Sequence, residues 1–284
     1  MKIKSEFRRR IFMNIGGICE EVIDPLIEVG FHVSNEIEYL ENLYLAAKGI
    51  QPLSLDRHYT LKVEAHKTHA KKWVFYDHRE CKRKVKIEVG DLLFLSRYEH
   101  MKQIINQRAM ITQAKYVHKG KYDVRLSQLS LYYYWLTRKT KVTVKKTTLN
   151  FKAIQHSFSP LLLINISGTF PNSSGPLNSI FPSNVGIASS RRAYNQLRKR
   201  LKAKTTDICT RMKKDETIDL MPHLSLTTTL WRLLLQFIGE PIDPTRESGQ
   251  LIQTITQNPH SSSNDDEREK PFVAITFTIT GPEG

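Results

Sequence analysis

The chain has 284 residues, 40% hydrophobic and 25% charged, with a formal net charge of +15. That length suits one large or two ordinary domains with a real core, and the composition excludes a disordered or collagen-like chain. No apolar run approaches the length of a membrane-spanning helix, and Cys19, Cys81 and Cys209 are too few and too scattered for a disulfide framework or a four-cysteine zinc site.

Arg8, Arg9 and Arg10 are not followed by the apolar core of a secretory signal, so a reducing, cytoplasmic setting is the expectation. Ile15 to Val33 suits a strand or short helix on either side of Asp24-Pro25, and residues 35–47 read as a helix capped by Ser34 or Asn35. From Tyr59 the apolar period changes to two. Tyr59, Leu61, Val63 and Ala65 alternate with polar neighbours, as do Val85, Ile87 and Val89, the pattern of half-buried strands. Residues 73–76, 92–95 and 109–117 are fuller strand-like runs, and Gly90-Asp91 supplies turn chemistry between two of them.

Leu126, Leu129, Tyr133 and Leu136 have helical spacing, which favours a helix over 124–136, followed by strands through Val142 and Val144, 151–154 and 161–166. Residues 168–186 hold Pro171, Pro176 and Pro182 and read as a loop. The clearest helix runs over about 190–214. Tyr194, Leu197, Leu201, Ile208 and Met212 fall within roughly 60° of arc at 100° per residue, with Ser189 or Ser190 as N-cap. A second helix over 226–237 ends at Gly239 with Pro241 beyond it. Residues 258–270 form a polar, mobile tether, after which Val273, Ile275, Phe277 and Ile279 alternate with Ala274 and three threonines in a terminal strand.

The expected class is α+β: an antiparallel sheet or partial barrel, then a helical segment and a C-terminal strand. The divisions are a mixed domain at 1–166, a loop at 167–186, a basic helical segment at 187–257, the tether at 258–270 and the strand at 271–284.

Charge carries the functional reading. Between Asp123 and Asp207 there is no aspartate or glutamate, yet the stretch holds fourteen lysines and arginines. Soluble domains ordinarily mix signs, so one-sided charge points to a polyanionic partner, nucleic acid above all. Arg191, Arg192, Arg198, Lys199, Arg200 and Lys202 on the basic helix are the expected phosphate contacts, with Lys139, Lys141, Lys145 and Lys146 extending the track. A second basic cluster, including Lys82, Arg83, Lys84 and Lys86, is interleaved with Trp73, Phe75 and Tyr76. Those rings either stack bases or simply fill a core, and alternation alone does not distinguish the two.

His66, His69, Asp77, His78, Glu80 and Cys81 are the best metal candidates, although nearby lysines oppose a dication. Asp24, Glu64, Asp77, Glu88 and Asp91 could supply carboxylates to a magnesium-dependent nuclease, but their spacing forms no signature. No GxGxxG, GxxxxGKS, GxSxG or HExxH pattern occurs, and no cofactor is expected. The leading expectation is a non-catalytic nucleic-acid-binding protein, DNA or RNA, without a membrane role. The alternatives are a module docking an acidic protein, whose sheet the terminal strand could augment, and a metal-dependent nuclease.

Overall fold

The computed structural model describes residues 2–68, 72–78, 80–117, 121–137, 140–144, 147–151, 160–165, 184–203, 208–212, 214–219, 222–243, 245–256 and 271–282. It is a mixed α+β fold built on an open sheet, with no closed barrel among the described residues. Helices α1 (Lys2–Met13), α2 (Ile15–Ile18), α3 (Asp24–Glu28) and α4 (Glu36–Gly49) come first, joined by a π-helical turn at Cys19–Ile23 and a 3-10 turn at Val29–His32. Asp24-Pro25 therefore opens a helix where a strand was equally open to expectation, because proline is preorganised for the first turn. Asn35 caps α4 by accepting from the Glu38 N–H at 2.9 Å, while the Glu38 carboxylate accepts from the Ser34 N–H, one residue before the cap, at 2.7 Å.

Strands β1 (Leu53–Asp56), β2 (Tyr59–Thr68), β3 (Trp73–His78), β4 (Arg83–Glu88), β5 (Leu92–His100), β6 (Gln103–Val117) and β7 (Tyr122–Arg125) follow. Next come α5 (Leu126–Thr137), β8 (Thr140–Val144), β9 (Thr147–Phe151), β10 (Leu161–Asn165) and β11 (Val185–Ala188). The basic helix is α6 (Ser190–Ala203). It is followed by α7 (Ile208–Arg211), β12 (Asp215–Ile218), β13 (Leu224–Ser225), α8 (Leu226–Leu234), β14 (Glu240–Pro241), α9 (Glu247–Thr256) and β15 (Phe272–Thr280). Within the expected helix at 190–214 the described residues form α6 and α7, with 204–207 outside the described residues and the helix ending at Arg211; Ser189 caps α6, and Leu197, Leu201 and Met212 are buried as the wheel requires. Helix α9 was not foreseen. Gly239, at φ +87°, ends the turn after α8 in a conformation that favours glycine. Of the loop expected at 167–186, residues 167–183 lie outside the described residues, as does the tether at 258–270, whereas Val185 and Gly186 belong to β11, where they pair with β10.

The central sheet runs β1-β2-β15-β5-β6-β10-β11-β13, with β14 against β6. The terminal strand lies in its interior, antiparallel to β2 and parallel to β5, so both its edges are occupied and it is not an edge offered to a partner. Its alternation marks two buried faces. Val273, Ile275, Phe277 and Ile279 meet a core under α1–α4 and α8, while Phe272 and Ala274 meet a second core on the opposite face.

That second core is covered by a separate four-stranded sheet, β4-β3-β8-β9, together with α5, α6 and α9. Gly90-Asp91 is therefore a crossing from one sheet to the other, not a hairpin between β4 and β5. Gly90 makes the crossing possible: a Cβ there would lie 2.5 Å from the Ile111 side chain and 2.9 Å from the Thr112 carbonyl. The backbone can press against β6 only because no side chain intervenes. Cys81 and Cys209, 128 residues apart, form a disulfide, which the expectation of a reducing setting without a disulfide framework did not foresee; the separation hides the pair in sequence, and only Cys19 remains free. No described helix is long and apolar enough to cross a membrane.

Candidate functional site

Past the start of β5, the β6 edge that faces it has no strand partner among the described residues, and two carboxylates take the exposed donors. The Asp91 N–H donates to the Thr112 carbonyl at 2.9 Å, which closes the ladder. The Asp91 Oδ2 then accepts from the Ala114 N–H at 2.9 Å and from the Gln113 side-chain amide. Two residues further along the same edge, the Glu36 carboxylate on the first turn of α4 accepts from the Tyr116 N–H at 3.0 Å. Donors two residues apart on a strand are about 7 Å apart, so Asp91 and Glu36 are neighbours along one edge.

Strand parity sets what else joins them. Ala109, Ile111 and Val117 face the core under the second sheet, so Gln113 and Lys115 point to that side as well. Gln113 is buried and accepts from the Gln128 amide of α5, which also reaches the Glu88 carbonyl at 3.3 Å. Lys115 is half-buried, so solvent reaches this face there. Asp91 is fully buried, and burial, with the nearby charge of Asp91 and Glu88, drives the Tyr132 phenol far above its ordinary value. Tyr132 instead donates to the Val89 carbonyl at 2.9 Å. The result is one buried carboxylate, a second beside it, two amides and a lysine gathered at one end of the central sheet.

Of the carboxylates considered from sequence, only Asp91 has such a setting. Glu64 pairs with Lys62 at 2.7 Å, Asp77 is exposed on β3, and Asp24 lies in α3, where burial and then Glu28 and Glu20 raise its pKa. The sequence reading missed Glu36, Gln113, Lys115 and Gln128. Its one available signal was the polar pair Gln113 and Lys115 interrupting an apolar strand on the core-facing side.

The candidate metal ligands between His66 and Cys81 do not converge. Cys81 is in the disulfide, Glu80 pairs with Arg198 at 2.7 Å, and His69 lies outside the described residues. His66 lines a cavity of about 500 Å³ under α9. His78 is buried on β3, where its Nδ1 accepts from the Cys81 N–H at 3.1 Å. Among the described residues no three His, Cys, Asp or Glu side chains form a metal cluster.

The basic residues are brought together, but not left wholly bare. The Cys81–Cys209 bridge ties α7 to the β3–β4 turn, Arg83 donates to the Cys209 carbonyl at 2.6 Å, and Glu80 beside that turn holds Arg198 of α6. The two basic segments that sequence treated separately thus meet at one place. Carboxylates from outside the acid-free stretch answer some of the charge: Glu216 takes Arg200 at 3.2 Å and also Arg211, and Asp215 takes Arg125 at 2.8 Å. Arg191, Arg192, Lys199 and Lys202 are exposed on α6, the first three beside Asn195 and Gln196 in a shallow groove. Lys141 is exposed on β8, whereas Lys139, Lys145 and Lys146 lie outside the described residues.

Helix α6 is connected to the carboxylates through packing. Ala188 pairs with Leu161, and Leu161 pairs with Gln113, so the strand leading into α6 ends level with Gln113 two strands away. That offset is about 10 Å. Tyr194 of α6 stacks on Tyr133 of α5 with centroids 4.5 Å apart, and α5 carries Gln128. Neither known protein families, nor curated proteins, nor solved structures match this chain.

Proposed function

We propose that this protein binds nucleic acid and hydrolyses its phosphodiester backbone with a divalent cation held at Asp91. One observation carries the reading: the buried Asp91 carboxylate at the bare edge of β6, with Gln113 and Lys115 on the same strand and Glu36 at the next donor. Buried carboxylates are costly unless paired, hydrogen-bonded or coordinated. Magnesium is typically held by one or two carboxylates, with waters and substrate phosphates completing its shell, so Asp91 would be its anchor, and Glu36, about 7 Å further along the edge, would act through a metal-bound water.

The cation would polarise the phosphate and lower the pKa of an attacking water. Lys115 would place positive charge where the transition state becomes more negative. Gln128 would hold Gln113, and through it the Asp91 carboxylate, in position. The cations of α6 and of the β3–β4 turn would grip flanking phosphates, a contact that weakens as salt rises. The sequence expectation of a non-catalytic binder shares the grip and omits the chemistry.

The test is cleavage of single- and double-stranded DNA and RNA by the purified chain with Mg²⁺ or Mn²⁺, with chelator as control. Cleavage is expected only with metal, to fall to background in Asp91→Asn, and to fall on the order of 10²- to 10³-fold in Lys115→Ala. Binding, followed by fluorescence anisotropy, should persist in Asp91→Asn. Wild-type protein that binds but never cleaves would return the reading to a non-catalytic binder.

A further inference from the structure

Chemistry at Asp91 does not account for the outer face of the second sheet. Along β3 burial alternates strictly: Val74, Tyr76 and His78 are buried, while Trp73 and Phe75 are each 39% exposed. Sequence left open whether these rings stack bases or fill a core. The structure divides them, with Tyr76 in the core and donating to the Ser127 carbonyl at 2.7 Å, and Trp73 and Phe75 facing solvent side by side. An exposed tryptophan and phenylalanine on one face of a sheet are costly to leave in water, and pairs of this kind mark interaction sites.

What surrounds the rings identifies the partner. Register places Lys86 opposite Phe75 and Lys84 one pair further along, both exposed. The Lys86 ammonium lies 4.6 Å from the centre of the Trp73 ring. Arg83 and Arg125 complete a groove of about 760 Å³ that contains both rings. Asp77 and Glu88 occupy the ends of this face, opposite Lys84 and Trp73 respectively, so its middle is aromatic and cationic.

From this we infer that the outer face of the β3–β4 hairpin binds single-stranded nucleic acid, with unpaired bases stacked on Trp73 and Phe75 and phosphates held by Lys84 and Lys86. The inference rests on the nucleic-acid reading above and names the form of substrate that reading leaves open. Ring spacing argues for the single strand. Residues two apart on a strand are about 7 Å apart, twice the 3.4 Å rise between bases in one strand of a duplex. Consecutive bases can sit on both rings only when they are unstacked from each other, as in a single strand. Aromatic platforms beside a cationic backbone track are the general solution for that ligand. The Lys86 ammonium over Trp73 is within reach of the phosphate of a nucleotide stacked on that ring, and the flexible side chain yields the ring face as the base arrives.

The experiment uses the full chain, a fluorescein-labelled oligothymidylate, a duplex of equal length, and the variants Trp73→Ala, Phe75→Ala and Trp73→Phe. Both rings are well exposed, so the alanine variants should fold, with circular dichroism as the check. Loss of each ring should weaken single-strand binding roughly 5- to 150-fold and leave duplex binding unchanged, and Trp73→Phe should restore most of the loss. Equal single-strand affinity in wild type and both alanine variants overturns the inference and leaves the reading above intact. So does wild-type binding to duplex alone. A wild type that binds neither form removes the inference together with the reading beneath it. Variants that change only self-association, seen by light scattering, would reassign the patch to a contact between copies and also overturn the inference.

Discussion

The two faces of the central sheet are covered in different ways. On the face under α1–α4 and α8, the strands contribute Leu92, Phe94, Tyr98, Met110, Ala114, Ile275 and Phe277, a mostly apolar layer that also holds the small buried hydroxyls of Ser96 and Thr112. The opposite face has apolar packing too, but it also holds Asp91, Gln113, Gln128, Ser130 and His78, all buried. Polar groups in a core cost stability unless every one is satisfied. The first face supplies folding energy, with each large side chain worth about 1.5–3 kcal/mol on burial. The second uses some of that energy to hold polar groups where the proposed chemistry would need them, and the candidate site lies there.

Substitutions should separate the faces. The largest stability loss is expected from Phe277→Ala, because Phe277 is fully buried and packs on Phe94 with centroids 6.5 Å apart. Urea unfolding should show a loss of about 3–5 kcal/mol, with cleavage per folded molecule unchanged. Gln128→Ala should show the reverse balance. It strips a donor from Gln113 and should cost about 1–3 kcal/mol, yet reduce cleavage more severely than Phe277→Ala does. If both variants lose stability and activity in proportion, the division between the faces is wrong.

A smaller effect depends on pH. Burial, aided by Arg83 and Arg198 against the opposing pull of Glu80, holds the His78 imidazole below its ordinary value. The unfolded chain therefore takes up that proton first. His78 contributes its full stability above the ordinary imidazole value of 6.5, and the contribution is lost as pH falls through the lower folded-state value. Protonation would also end the acceptance of the Cys81 N–H at Nδ1 beside the disulfide. Urea midpoints should fall between pH 7.5 and 5.5, and His78→Gln should flatten that slope. An unchanged slope in the variant would assign the effect to other groups.

Local periodicity made much of the fold legible. The alternation from Tyr59, the helix at α5, the cap at Asn35 and the terminal strand all follow from patterns within ten or fifteen residues. What stayed hidden depends on contacts far apart in sequence. Gly90-Asp91 has turn composition, but its role is set by β5 and β4 belonging to different sheets. The Cys81–Cys209 bridge closes 128 residues, and the interior position of β15 requires strands from both ends of the chain. Net charge pointed toward phosphate, yet Glu80 and Glu216 engage Arg198, Arg200 and Arg211 from outside the acid-free stretch. Charge counting therefore overstated how bare α6 is. The candidate site was legible only in part: Asp91 was named, but Gln113, Lys115 and Glu36 acquire meaning only when β6 runs past the start of β5.

Manganese binding to the intact protein, followed by electron paramagnetic resonance with a bound oligonucleotide, addresses Asp91 most directly. Wild type should take up Mn²⁺ at a site that disappears in folded Asp91→Asn while the oligonucleotide stays bound. Equal Mn²⁺ uptake by the two proteins, or none by wild type, would leave Asp91 as a cap on a strand edge and contradict the account.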